Sequence, residues 1–85
     1  MKEFQYTVKD PVGIHARPAG LLAKKAKEFQ SEIILEKGDK SANATRLMAV
    51  MGLCIKCGDT VTVRINGSDE DVAAPALEEF FKAYF

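Results

Sequence analysis

Residues 13–20 read Gly-Ile-His-Ala-Arg-Pro-Ala-Gly (GIHARPAG), and at this stretch the period of the sequence changes. Before it, Phe4, Tyr6 and Val8 alternate with Glu3, Gln5 and Thr7, the period-two pattern of a half-buried strand. Asp10-Pro11-Val12-Gly13 then gives a loop signal. After it, from about Ala16 to Phe29, apolar residues recur with helical spacing. Ala19, Leu22, Ala23, Ala26 and Phe29 share one face, and Arg17, Leu21, Lys24 and Glu28 the other. The stretch therefore predicts a strand-loop-helix junction with His15, the chain's one histidine, at the helix start.

Outward from this junction, Ser31 to Lys37 reads as a second strand, and Gly38-Asp39 as a hairpin turn into a short third strand near Lys40 to Ala44. Thr45 can cap a short helix, roughly Arg46 to Leu53. Cys57-Gly58-Asp59 reads as a turn, and Val61, Val63 and Ile65 mark a fourth strand. Asn66-Gly67-Ser68 ends it, with Ser68 and Asp71 resembling a capping box. Val72, Ala76, Leu77, Phe80, Phe81 and Tyr84 form the expected apolar face of a last helix. Pro75 predicts that this helix either starts late, near Ala74, or bends in its first turn. The order β-α-β-β-α-β-α implies a two-layer α+β sandwich, three helices covering the dry face of a sheet whose other face is wet.

Composition limits the function. With 85 residues the chain is read as one domain, residues 1–85, burying about 60% of its unfolded surface. Twelve basic residues balance twelve acidic ones, which argues against a nucleic-acid binder. No secretion signal or membrane-length apolar run is legible, and two cysteines are too few for a secreted disulfide scaffold, so a cytoplasmic location is expected. Cys54 and Cys57 form a CxxC that follows a helix, whereas redox pairs usually open one. A zinc site would need further ligands. Cys54 is expected to fill core space, and no metal or cofactor is implied.

A helix N-terminus suits an anion, because its first N–H groups lack intrahelical partners and the dipole is positive there. Pro18 fits the first turn, where its missing N–H removes no bond. Arg17 carries a planar fork of donors that matches phosphate oxygens. His15 has two uses here: to hydrogen-bond an anion, or to attack phosphorus and carry the phosphoryl group itself. A third reading makes it a surface histidine at a helix cap. The residue pattern alone leaves these open.

The segment GIHARPA, Gly13 to Ala19, resembles the active-site motif of the HPr family, the histidine-containing phosphocarriers of the bacterial phosphoenolpyruvate:sugar phosphotransferase system. The resemblance extends over essentially the whole chain. Asn43 to Leu53 (NATRLMAVMGL) resembles the family's second characteristic segment. The resemblance implies an HPr-like open-faced sandwich with an antiparallel four-stranded sheet ordered 1-4-2-3. It implies that His15 accepts the phosphoryl group through Nδ1 from phospho-enzyme I and passes it to a sugar-specific enzyme IIA. Arg17 and the backbone amides of Ala16 and Arg17 would steady that group. The alternatives are an HPr-like paralogue in a regulatory phosphorelay, such as the nitrogen-related branch, and a non-catalytic binding or regulatory module.

Leu47, Met48, Val50, Met51 and Leu53 make the second helix apolar nearly all round. A helix on a sheet needs one apolar face, so the excess predicts an exposed, adaptable patch. The resemblance places partner docking at Leu47, Met48 and Met51, and at Gly20, Leu21, Lys24 and Lys27 of the first helix. Exposed lysines would steer acidic partners. Besides enzyme I and enzyme IIA, transcriptional or metabolic regulators are possible partners. The expected carrier is a monomer that meets membrane transport complexes only through those partners. Many HPr proteins carry a regulatory serine where this chain has Arg46. Arginine lacks the hydroxyl that would accept that phosphate, so that switch does not transfer, and Arg46 is expected to add positive charge to the partner face.

Overall fold

A computed structural model describes all of residues 1–85. The elements are β1 (Lys2–Thr7), α1 (Ala16–Ala26), β2 (Glu32–Lys37), β3 (Lys40–Asn43), α2 (Leu47–Met51), β4 (Thr60–Asn66) and α3 (Glu70–Tyr84). One antiparallel sheet has the order β1-β4-β2-β3. Its register sets Phe4 opposite Val63 and Leu35 opposite both Val63 and Ala42. Because side chains alternate across a strand, this register sends Ile33, Leu35, Val61, Val63 and Ile65 to one buried face. On the wet face Arg64 bridges Glu3 (2.9 Å) and Glu36 (3.2 Å). Such exposed pairs stabilise little.

The helices close the dry face. Leu22, Ala19 and Ala26 of α1 join the strand residues in the core, with Val50 from α2 and Leu77 and Phe81 from α3. Phe81 is the largest fully buried side chain and meets Phe4 and Tyr6 edge-on, with ring centroids 5.9 and 5.8 Å apart. Edge contacts of this kind add to the burial of the rings.

Several local expectations are corrected. α1 ends at Ala26, three residues before Phe29, where the chain passes into turns with Lys24 and Lys25 at the negative helix end. Thr45 does not cap α2. Its hydroxyl and its N–H both donate to Asn43 Oδ1, at 2.6 and 2.9 Å, and Arg46 occupies the N-cap position. At α3 the reach-back comes from Glu70 rather than Asp71: its carboxylate accepts the Gly67 N–H at 3.1 Å, and Asp69 is the N-cap residue.

Pro75 neither delays nor ends α3, which starts at Glu70. The carbonyl that its missing N–H releases belongs to Asp71, on an exposed turn where solvent can satisfy it. The buried face of α3 is Ala73, Leu77 and Phe81, while Val72 is 64% exposed. Leu77 and Phe81 lie on the face as expected, but Ala73 rather than Val72 completes it in the core. Cys54 does not fill core space. It is exposed with φ +53°, and Ile55 is buried instead.

Candidate functional site

The loop joining β1 to α1 is held from three sides. The Val8 N–H donates to Asp59 O, and Gly58 returns a bond to Val8 O. The N–H groups of Lys9 and Asp10 both donate to Phe85 O, at 2.6 and 2.9 Å. The Ile14 N–H donates to Ile55 O at 3.0 Å, and the Asp10 side chain accepts the Val12 N–H at 2.8 Å. Gly13 turns the chain with φ +78°, and a Cβ there would stand 2.5 Å from Ile55 O. Glycine avoids that contact and adopts the left-handed conformation freely. The buried Ile14 then anchors the residue before His15.

His15 is the N-cap residue of α1, with extended backbone (φ −123°, ψ 179°) and no side-chain cap bond. Its carbonyl accepts the Ala19 N–H at 3.0 Å, which commits the backbone to the helix and leaves the half-buried imidazole at the opening. Ala16 and Arg17 are the first two helical residues, so their N–H groups have no carbonyl to meet within the helix. Pro18, the third, is buried and contributes no N–H. The first turn contains no acidic residue.

His15, Arg17, Pro18, Leu21, Asp10 and Tyr84 line one open groove of 390 Å³. The six ion pairs of the molecule do not include Arg17, so its guanidinium is free for an external anion. The expected His15–Arg17 pair is thus brought to one opening, with the Ala16 and Arg17 amides at the same helix end. Asp10 and Tyr84 were not expected there. Asp10 stands in a turn signal a few residues upstream, but Tyr84 lies at the other end of the chain and read only as part of an apolar face. Nothing local marks it.

The remaining expected residues lie on α1 and α2, which pack against each other, or at their caps, Lys27 ending α1 and Arg46 starting α2. Leu21, Leu47 and Met48 are exposed, Met48 by 79%. Lys24, Lys27 and Arg46 are exposed and form no ion pair. Gly20 and Met51 are half-buried, and Met51 packs against the core. Val50 and Leu53, from the same apolar segment, are buried. The excess of apolar residues on α2 is therefore divided between core and surface.

Fold and site together define a small open-faced α+β protein with a histidine and an unpaired arginine at an anion-seeking helix start. The family model for the PTS HPr component phosphorylation site matches residues 2–83. The chain is 48% identical over 77 residues to the phosphocarrier protein HPr of Lysinibacillus sphaericus, covering 91% of this chain and 88% of that protein. It is 43% identical over 82 residues to the HPr-like protein Crh of Halalkalibacterium halodurans, covering 96% and 98%. Its structure matches the phosphocarrier HPr of Bacillus anthracis with a TM-score of 0.86, at 34% identity, covering 94% and 95%. The chain belongs to the HPr family of phosphocarriers of the phosphotransferase system.

Proposed function

We propose that this chain carries phosphoryl groups in phosphoenolpyruvate-dependent sugar uptake, and that His15 is the acceptor. One observation carries the assignment of the residue: the His15 imidazole and the unpaired Arg17 guanidinium line a single open groove at the start of α1, where the first-turn amides lack intrahelical partners. The Nδ1 lone pair attacks phosphorus, a new N–P bond forms, and the bond from phosphorus to enzyme I breaks, its electron pair leaving with the donor. Arg17 and the amides of Ala16 and Arg17 balance the charge on the phosphoryl oxygens. The reverse sequence delivers the group to enzyme IIA. All 85 residues act as one carrier domain, a monomer working in the cytoplasm. No helix is long and apolar enough to cross a membrane. The exposed Leu21, Leu47 and Met48, flanked by Lys24, Lys27 and Arg46, form the face that meets both partners.

The test is incubation with phosphoenolpyruvate, magnesium and a cognate enzyme I. The expected result is an acid-labile mass increase of one phosphate, absent from His15→Ala. An unmodified parent protein refutes the carrier reading, and equal modification of the variant moves the site. The likeness to the HPr-like protein Crh admits a second reading, a non-catalytic binding or regulatory module. Modification of His15 by enzyme I would exclude it.

A further inference from the structure

Tyr84 reaches the His15 groove through a chain of tertiary contacts. Because Pro75 does not end α3, the helix continues to Tyr84. Phe85 behind it is buried, and its carbonyl oxygen takes the N–H groups of Lys9 and Asp10. Those bonds fasten the last turn of α3 to the loop that leads into His15. The Tyr84 ring lies against Phe80, with centroids 4.5 Å apart, and is 47% exposed. Tyr84 then forms one wall of the groove whose other lining includes His15 and Arg17. No protein group accepts a hydrogen bond from its hydroxyl.

We propose that the Tyr84 hydroxyl donates a hydrogen bond to a phosphoryl oxygen on phosphorylated His15. The proposal rests on the reading of His15 as the acceptor. A phosphoryl group offers three strong acceptor oxygens. Arg17 and the first-turn amides serve it from the α1 side, and Tyr84 serves it from the α3 side. Asp10 lines the same groove, and its carboxylate opposes a phosphoryl anion. A neutral O–H donor adds a hydrogen bond there without another carboxylate. The phenol makes and breaks no covalent bond. It stabilises the phosphohistidine and obstructs water from the side that α1 leaves open.

The test compares the parent protein with Tyr84→Phe, which keeps the ring on Phe80 and removes the hydroxyl alone. Both are phosphorylated with phosphoramidate, a small donor that needs no enzyme I, and are followed by phosphorus NMR. A hydrogen bond to a charged group predicts that the phosphohistidine of Tyr84→Phe hydrolyses about tenfold faster, with a shifted phosphorus resonance. Thermal stability should stay at the parent level. Equal hydrolysis rates and equal resonances overturn the proposal. So does a pattern in which Tyr84→Ala differs from the parent but Tyr84→Phe does not, because Tyr84 would then act by packing alone. Failure of enzyme I to modify the parent would defeat the proposed function, while the phosphoramidate comparison would still decide the role of Tyr84.

Discussion

The two glycines that bracket GIHARPAG should respond to alanine in opposite directions. At Gly13 the backbone has φ +78°, and a left-handed conformation costs a residue with a Cβ about 1–2 kcal/mol. The added Cβ would also lie 2.5 Å from Ile55 O and 2.7 Å from Lys56 Cα. Both atoms are backbone and cannot rotate aside, so the loop must shift, at a further cost of about 1–3 kcal/mol, typical of overpacking. Gly13→Ala should therefore destabilise by about 2–5 kcal/mol, a large share of the stability of a small domain. At Gly20 a Cβ meets nothing within 4 Å, and the backbone is helical. Gly20→Ala should stabilise by about 0.5–1 kcal/mol, because alanine has less chain entropy to lose. Urea unfolding followed by circular dichroism measures both. With a slope of about 1 kcal/mol per molar, the Gly13→Ala midpoint should fall by about 2 M or more and that of Gly20→Ala should rise slightly. A Gly13→Ala protein within about 0.5 kcal/mol of the parent, the scatter of ordinary surface changes, would refute the role given to the Ile55 contact.

Asp69 links the α1–β2 loop to the start of α3, accepting bonds from the Ser31 hydroxyl (2.5 Å) and from the Gln30 and Ser31 N–H groups (2.8 and 2.9 Å). The Ser31 hydroxyl first, and the Gln30 N–H next, hold its carboxyl below the ordinary value of 3.8. A depressed native value means that its stabilisation is present above 3.8 and is lost as pH falls through the lower folded-state value. Asp69→Asn should unfold more easily than the parent at pH 7, with the gap closing under acid. A gap independent of pH between neutral and strongly acidic conditions would contradict this. Cys54 is a non-glycine residue at φ +53°, so Cys54→Gly should raise the thermal midpoint, by relief of about 1 kcal/mol of backbone strain; a lowered midpoint would show that the Cys54 side chain matters more than its backbone. Arg46→Ser places a good capping residue at the start of α2 and should stabilise by about 1 kcal/mol. The same variant should slow transfer with acidic partners at low salt, the difference fading as salt rises, and unchanged rates with unchanged salt dependence would remove Arg46 from the partner face.

The sequence by itself determined the order of elements and marked the nucleus of the candidate site. Strand alternation, the change of period at Ala16 and the chemistry of His15, Arg17 and Pro18 are all local properties, encoded within a few residues of where they act. The fate of ambiguous residues depended on tertiary geometry. Val72 and Ala73 are both apolar and adjacent on the helix, and only the approach of α3 to the sheet buried the alanine and exposed the valine. Thr45 and Ser68 had the side chains of caps, but hydrogen-bond competition gave Thr45 to Asn43 and left the reach-back at α3 to Glu70. Pro75 was tolerated because the carbonyl it freed belongs to Asp71, an exposed residue. Tyr84 joined the groove because Phe85 is tied to Lys9 and Asp10, an association between the two ends of the chain that no local period records. His15 was therefore visible as a residue type at a helix start, while the rest of the wall around it was set by contacts between elements far apart in sequence.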